Sequence, residues 1–257
     1  MTVALPGARV AVAPLPGGDV EHAVSGDGPA TVVLVNGSGG PLAAWRPVWS
    51  PIAASARVFA YNRAGLGRSA APASPQHGDA LVAQLRDTLR AAGLAPPWVL
   101  VGHSFGGLIV QLLARRHPGD IAGVLLLDAT APDDVAVMAA HENGLQRTLR
   151  RMLDTVAPTS PFAEVRHAAA TAEAVRTAPP FPPVPLTVVT GGRPAMAWAT
   201  PKAALAARAA HQQALARLSP LGRQVIAARS GHFPQFSEPA LVVEEVLALT
   251  RRAVGPA

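Results

Sequence analysis

The chain has 257 residues, is 49% hydrophobic and carries a formal charge of +6 at pH 7, which fits one domain, or one domain with an inserted lid, large enough to bury a sizeable core. It contains no cysteine, so disulfides, thiolate catalysis and Cys-based metal sites are excluded. The basic residues form no run or stripe: nearly all are arginines placed singly or in pairs (Arg115-Arg116, Arg150-Arg151, Arg251-Arg252), with one lysine, Lys202, and one tyrosine, a pattern of solvated helix faces and not of a nucleic-acid surface.

The start, Met1-Thr2-Val3-Ala4-Leu5-Pro6-Gly7, lacks the basic and uninterrupted apolar regions of a secretory signal. No apolar run approaches the ~18 residues of a bilayer span. The expectation is a cytoplasmic protein that contacts neither membrane nor nucleic acid. Arg9 to Ala13 and Val20 to Ser25 read as two short strands, joined by the turn-rich Pro14-Leu15-Pro16-Gly17-Gly18 and suited to an antiparallel pair. Thr31 to Val35 is apolar and β-branched, as a strand buried on both faces should be, and stops at Asn36-Gly37-Ser38-Gly39-Gly40. That loop lacks the G-x-x-x-x-G-K-[ST] pattern of a phosphate cradle, which leaves its backbone N–H groups as candidate oxyanion donors.

Trp45 to Ala54 predicts a short helix and Arg57 to Tyr61 a strand, followed by the glycine-punctuated loop Asn62-Arg63-Ala64-Gly65-Leu66-Gly67-Arg68-Ser69. Between His77 and Ala92 the apolar residues Leu81, Val82, Leu85 and Leu89 recur at helical spacing, and Gly93 is placed to end that helix. Trp98 to Val101 is the next buried strand. It runs into Gly102-His103-Ser104-Phe105-Gly106 and a helix that Pro118-Gly119 stops, and Ile121 to Leu127 then forms a strand ending at Asp128.

From 129 to 183 no strand signal occurs. Helical stretches at Val135 to Asp154 and Phe162 to Thr177 are separated by Pro158-Thr159-Ser160-Pro161, and the segment closes with Pro179-Pro180-Phe181-Pro182-Pro183. This reads as a helical lid, 129–183, inserted between core segments 1–128 and 184–257; a crossover connection with extra helices is the alternative. Leu186 to Thr190 and Gln224 to Ala228 are further strands, while Thr200 to Leu218 and Pro239 to Arg252 are helices. The predicted fold is α/β, with a mostly parallel central sheet of about eight strands and helices on both faces. In such sheets ligands gather at the carboxyl ends of the strands.

At Gly102 to Gly106 a strand stops abruptly and a helix starts at once, with Ser104 on the turn between them. Glycine on either side relieves the crowding of so sharp a turn, and the helix N-terminus favours negative charge developing beside the hydroxyl. A G-x-S-x-G string also arises as an ordinary turn; the strand before it and the helix after it distinguish this one. Serine at neutral pH needs a neighbouring base held by a third group. Of the eight histidines, His232 lies in Ser230-Gly231-His232-Phe233-Pro234, after a strand and before the last helix, where it can reach the same sheet edge. His103 adjoins the serine but points away from it by local geometry. His22, His77, His117, His141, His167 and His211 fall where a structural or solvated role is expected.

These features resemble the α/β-hydrolase fold family over nearly the whole chain. Besides the Ser104 turn, Gly231-His232 ahead of Glu238-Pro239 resembles the family's histidine loop, and Tyr61 to Ser69 resembles its Tyr-Asp-Arg-x-Gly-x-Gly-x-Ser loop, which braces the nucleophile turn. The resemblance implies a triad in the order serine, acid, histidine. The family's acid most often follows the strand that here is Leu186 to Thr190, yet no Asp or Glu occurs between Gly191 and Ser237. Asp128, at the strand end used by pancreatic lipases, is the natural substitute, and Asp133, Asp134 and Glu142 compete with it. The resemblance also implies oxyanion donors at the backbone N–H groups of Phe105 and Ser38. Two departures stand out: Asn36 replaces the family's His, and Asn62 its Asp.

The implied activity is that of a serine hydrolase, independent of cofactors and metals, which cleaves an ester, thioester or lactone of a small or medium apolar substrate. A serine nucleophile argues against the aspartate-based dehalogenases and epoxide hydrolases of this fold. Acyl transfer, cyclisation, perhydrolysis or a lyase step at the same site is the first alternative, and a non-catalytic small-molecule sensor the second. Candidate pocket residues are Asn36, Gly37, His103, Met196, Trp198 and Phe233, with Phe162 and Phe181 as further walls; Met196, Trp198, Phe162 and Phe181 are equally well ordinary core. Arg147, Arg150, Arg151 and Arg166 either attract an acidic substrate or form solvated faces. An apolar lid surface and a dimer patch look alike in sequence, so no oligomeric state is assigned.

Overall fold

The apolar, β-branched runs form strands β1 (Arg9–Ala13), β2 (Val20–Ser25), β3 (Thr31–Val35), β4 (Arg57–Tyr61), β5 (Trp98–His103), β6 (Ile121–Leu127), β7 (Leu186–Gly191) and β8 (Gly222–Ala227). In the computed structural model, which describes residues 5–141, 163–193 and 202–254, they make one sheet in the order β1-β2-β4-β3-β5-β6-β7-β8. Only β2 runs against the others. It pairs antiparallel with β1 on one side and β4 on the other, and every later pairing is parallel.

Successive side chains of the central strands enter different cores, which is why those strands are apolar throughout and do not alternate. Val33 and Val35 of β3, with Leu100 of β5, face Leu81 and Leu85 of helix α2 (Gly78–Ala91) and Leu108 and Leu112 of helix α3 (Gly106–Arg116). Val32, Leu34, Val99 and Val101 face the other way. They pack with Trp45, Trp49 and Ile52 around helix α1 (Arg46–Ala53) and with Val242, Val246 and Leu249 of the closing helix Pro239–Val254.

The edge strand β8 starts at Gly222, earlier than the apolar run suggests, because its pairing with β7 runs from Leu186↔Gly222 to Gly191↔Ala227. Lying at the edge it is half-buried from Gly222 to Val225 and exposed at Ile226, and its first residues, Gly222, Arg223 and Gln224, carry no apolar signal. After β6 the described helices are α4 (Pro132–His141) and α5 (Ala168–Thr177), the latter entered through a 3-10 turn, Ala163–His167. Helix α5 packs on α2 and α3 and buries Thr171, Ala172 and Val175. Two further helices, α6 (Lys202–Ala216) and the short α7 (Pro234–Ser237), precede the closing helix, α8. Among the described residues no helix is long and apolar enough to cross a membrane.

Candidate active site

The parallel register sets His103 level with Leu127, and Leu127 level with Val189. The next residues along β5 and β6, Ser104 and Asp128, therefore leave neighbouring strand ends side by side. Ser104 N–H donates to the Leu127 carbonyl at 3.2 Å, Thr130 N–H to that of Ser104 at 3.0 Å, and Asp128 N–H to that of Val189 at 2.7 Å. Ser104 and Asp128 are the two non-glycine residues with positive φ, at 51° and 42°, among the described residues. The left-handed region costs an L-residue roughly 1–2 kcal/mol. It recurs here where two strands end in turns sharp enough to lift a side chain off the sheet edge. At Gly106 a Cβ would collide with the carbonyl oxygens of Val35 and Asn36, so only glycine lets α3 begin this close to the end of β3.

His232 approaches from the loop between β8 and α7. Ser230, wholly buried, anchors that loop: its carbonyl accepts from Arg193 N–H at 2.8 Å, and its hydroxyl lies 2.6 Å from that of Ser237. His232 Nδ1–H donates to Asp128 Oδ2 at 2.7 Å, which leaves Nε2 to accept from the Ser104 hydroxyl at 2.9 Å. The His232 side chain is 37% exposed and that of Asp128 3%, so the carboxylate is shielded while the imidazole is open to a ligand.

Asp128 has two more partners. Gly191 N–H donates to Oδ1 at 2.9 Å, and Arg208 of α6 reaches Oδ2 at 2.6 Å. Burial pushes this carboxyl up, but the His232 bond, the Arg208 charge and the Gly191 N–H outweigh it and hold the group below its ordinary value. His103 lies beneath. It is buried, its Nε2–H donates to the His232 carbonyl at 2.8 Å, and its ring centroid is 5.0 Å from that of His232. Burial, the largest influence, pushes His103 down to about 4, so at neutral pH it is an uncharged prop.

The loop after β3 closes over the serine. A Cβ at Gly37 would stand 2.9 Å from Ser104 Cβ and 3.2 Å from His103 Nδ1, so glycine keeps the loop backbone against the serine side chain. Among the described residues no backbone acceptor takes the N–H of Ser38 or of Phe105. The buried Asn36, expected to line the pocket, turns its amide into its own loop, donating to the Pro41 carbonyl at 2.8 Å.

The Tyr61 to Ser69 segment braces this β3 loop, and not the nucleophile turn as the resemblance suggested. Arg63 donates to the carbonyls of Asn36 and Gly37 at 2.8 and 2.6 Å and forms a two-point ion pair with Glu164 at 2.6 and 2.7 Å. Asn62 is explained by the buried Glu21, whose Oε2 accepts from Asn62 Nδ2 at 2.6 Å while Asn62 Oδ1 accepts from Leu42 N–H at 2.7 Å. An aspartate here would have no proton for Glu21.

Of the competing acids, Asp133 is exposed and pairs with Arg176, and Asp134 pairs with His211 at 2.6 Å; neither approaches His232 by any hydrogen bond. Glu142 lies outside the described residues, as do Met196, Trp198, Phe162, Arg147, Arg150 and Arg151. Phe181 is buried in the core with Arg115 over its ring, whereas Phe233, half exposed, stands 5.0 Å from the His232 ring. No group of three His, Asp or Glu able to hold a metal gathers among the described residues. Arg208, Glu164 and Glu21 escaped the sequence reading. Only Glu21, an acid between the valines and alanine of a short strand, left a local trace.

The chain is 31% identical over 128 residues to the uncharacterized protein YqjL of Bacillus subtilis, covering 50% of this chain and 51% of that protein. It is 39% identical over 106 residues to a putative carbamate hydrolase, RutD, of Variovorax paradoxus, covering 40% of this chain and 39% of that one. The chain thus spans about half or less of the length of these curated relatives. Among solved structures it is similar to an enol-lactonase from Burkholderia xenovorans LB400, with a TM-score of 0.66 and 22% identity over 93% of this chain and 99% of that one, a likeness of fold. The model of the alpha/beta hydrolase family matches residues 32–245, from β3 into the closing helix, and the chain belongs to that family.

Proposed function

We propose that the protein is a serine hydrolase that cleaves a carboxylic ester, thioester or lactone through an acyl-enzyme. The observation that carries this reading is the unbroken chain from Ser104 Oγ through His232 to Asp128, at 2.9 and 2.7 Å, with the serine on a strained turn. Ser104 attacks the acyl carbon as His232 Nε2 takes its proton. Asp128 fixes the Nδ1–H tautomer and stabilises the imidazolium. The N–H groups of Ser38 and Phe105 receive the oxyanion, each worth roughly 3 kcal/mol in comparable sites. His232 returns the proton to the leaving oxygen or sulfur, and water then repeats the cycle on the acyl-enzyme. Every group in this scheme comes from the chain itself.

Residues 129–183 are read as the cap over this site, inserted between core segments 1–128 and 184–257. The names of the relatives add carbamates and enol lactones to the substrates worth assaying, since both present an acyl carbon to the serine. The test is intact-mass analysis after incubation with a fluorophosphonate. One adduct on the native chain and none on Ser104→Ala or His232→Ala is expected, with ester turnover reduced by about 10⁴-fold or more in Ser104→Ala. A folded native protein that takes no adduct, or Ser104→Ala that still does, sinks the proposal.

A further inference from the structure

Arg63 and Glu164 are 3% and 5% exposed, and they are 101 residues apart in the chain. A buried ion pair adds little net stability over an apolar pair of similar volume, so its geometry is the more informative feature. The Arg63 guanidinium uses Nε and one Nη2–H on the Glu164 carboxylate and directs its remaining bonds to the carbonyls of Asn36 and Gly37. Glu164 Oε1 also accepts from Gly39 N–H at 3.2 Å. The backbone on both sides of Ser38 is therefore held by one network.

A trans peptide is planar, and its C=O and N–H point in opposite directions. The Ser38 N–H belongs to the same peptide as the Gly37 carbonyl, which Arg63 grips at 2.6 Å. Fixing that carbonyl aims the Ser38 N–H, and a cation on the oxygen polarises the peptide so that its N–H donates more strongly. The grip is shared, because the carboxylate that orients Arg63 comes from the segment between β6 and β7. The Gly37 backbone in turn rests against the Ser104 side chain.

We propose that Glu164, acting through Arg63, is a positioning residue that aims the Ser38 N–H, so that seating of the Ala163–His167 turn and readiness of the oxyanion site are one event. This rests on the hydrolase reading above. The test compares wild type with the double variant Arg63→Met/Glu164→Leu, which removes both buried charges together, and with Arg63→Lys, which keeps the charge but loses the planar fork. The readouts are kcat and KM for a short activated ester, the rate of fluorophosphonate labelling, and hydrogen exchange of the amides from 37 to 40.

The double variant is expected to fold, to lose tenfold or more in kcat and in labelling rate with KM within twofold, and to exchange faster from 37 to 40 while the β3 and β5 amides stay protected. Arg63→Lys carries the same kinetic expectation and decides the matter if the double variant does not fold. A folded variant whose kcat stays within twofold of wild type overturns the proposal, whatever the exchange rates. If fluorophosphonate leaves even wild type unlabelled, the hydrolase reading fails alone, and unchanged exchange from 37 to 40 would then remove the bracing as well.

Discussion

His103 offers the most direct test of how the site is built, because its protonation opposes folding. Its ring is 3% exposed and is hemmed in by His232, Phe233 and Trp45, with centroids at 5.0, 5.3 and 6.4 Å. Burial, only partly offset by the bond to the His232 carbonyl, lowers the group from 6.5 to about 4. In that interval the unfolded chain binds a proton that the folded protein refuses, so stability rises with pH and is lost as pH falls from 6.5 towards 4. At about 1.4 kcal/mol per unit, the full effect is about 3 kcal/mol, of which about 2 kcal/mol falls between pH 7 and pH 5. Urea unfolding of wild type and of His103→Gln, whose amide can still donate to the same carbonyl, measures it. Other groups titrate equally in both proteins, so the variant should lose about 2 kcal/mol less than wild type over that range. Equal losses would refute the buried, neutral assignment.

Two further predictions concern the carboxylates. In Arg208→Met, Asp128 loses one of the influences that hold it below its ordinary value, so acid inactivation should begin at higher pH than in wild type; a pH profile of kcat/KM with an unmoved acid limb contradicts this. Asn62→Asp sets a second carboxylate at 2.6 Å from Glu21 Oε2 and removes its proton donor. It should cost about 3 kcal/mol at pH 7 and less as pH falls towards the carboxylate range, checked by thermal melts at both pH values.

The sheet and the serine turn were legible because their signals are local. Each central strand is a short apolar run ending in glycine or a polar residue, and Leu81, Val82, Leu85 and Leu89 announce the buried face of α2 by spacing alone. That His232 reaches the Ser104 hydroxyl followed from its place between a strand and a helix. The start of the edge strand β8 was misplaced by two residues because its half-buried first residues, Gly222, Arg223 and Gln224, have no apolar pattern. The braces around the site were hidden for another reason. Arg63 and Glu164 meet across 101 residues, and Arg208 meets Asp128 only through the packing of α6 beside β7. Composition alone assigns such arginines to solvent.

The carboxylate beside His232 was the least local element, and the sheet explains why it can stand where it does. Because Leu127 and Val189 pair in register, the ends of β6 and β7 are neighbours, and a carboxylate rising from either can reach the same imidazole. In this chain the two ends divide the work: Asp128 supplies the acceptor from β6, and Gly191, on the strand where the family more often carries its acid, supplies an N–H to the other carboxylate oxygen. That placement buries the carboxylate between two strands and a helix, where its charge needs donors. Gly191, His232 and Arg208 provide them. Ionisation at the β6 position thus depends on residues from three later elements, which is why no local pattern around Asp128 could have placed it beside His232.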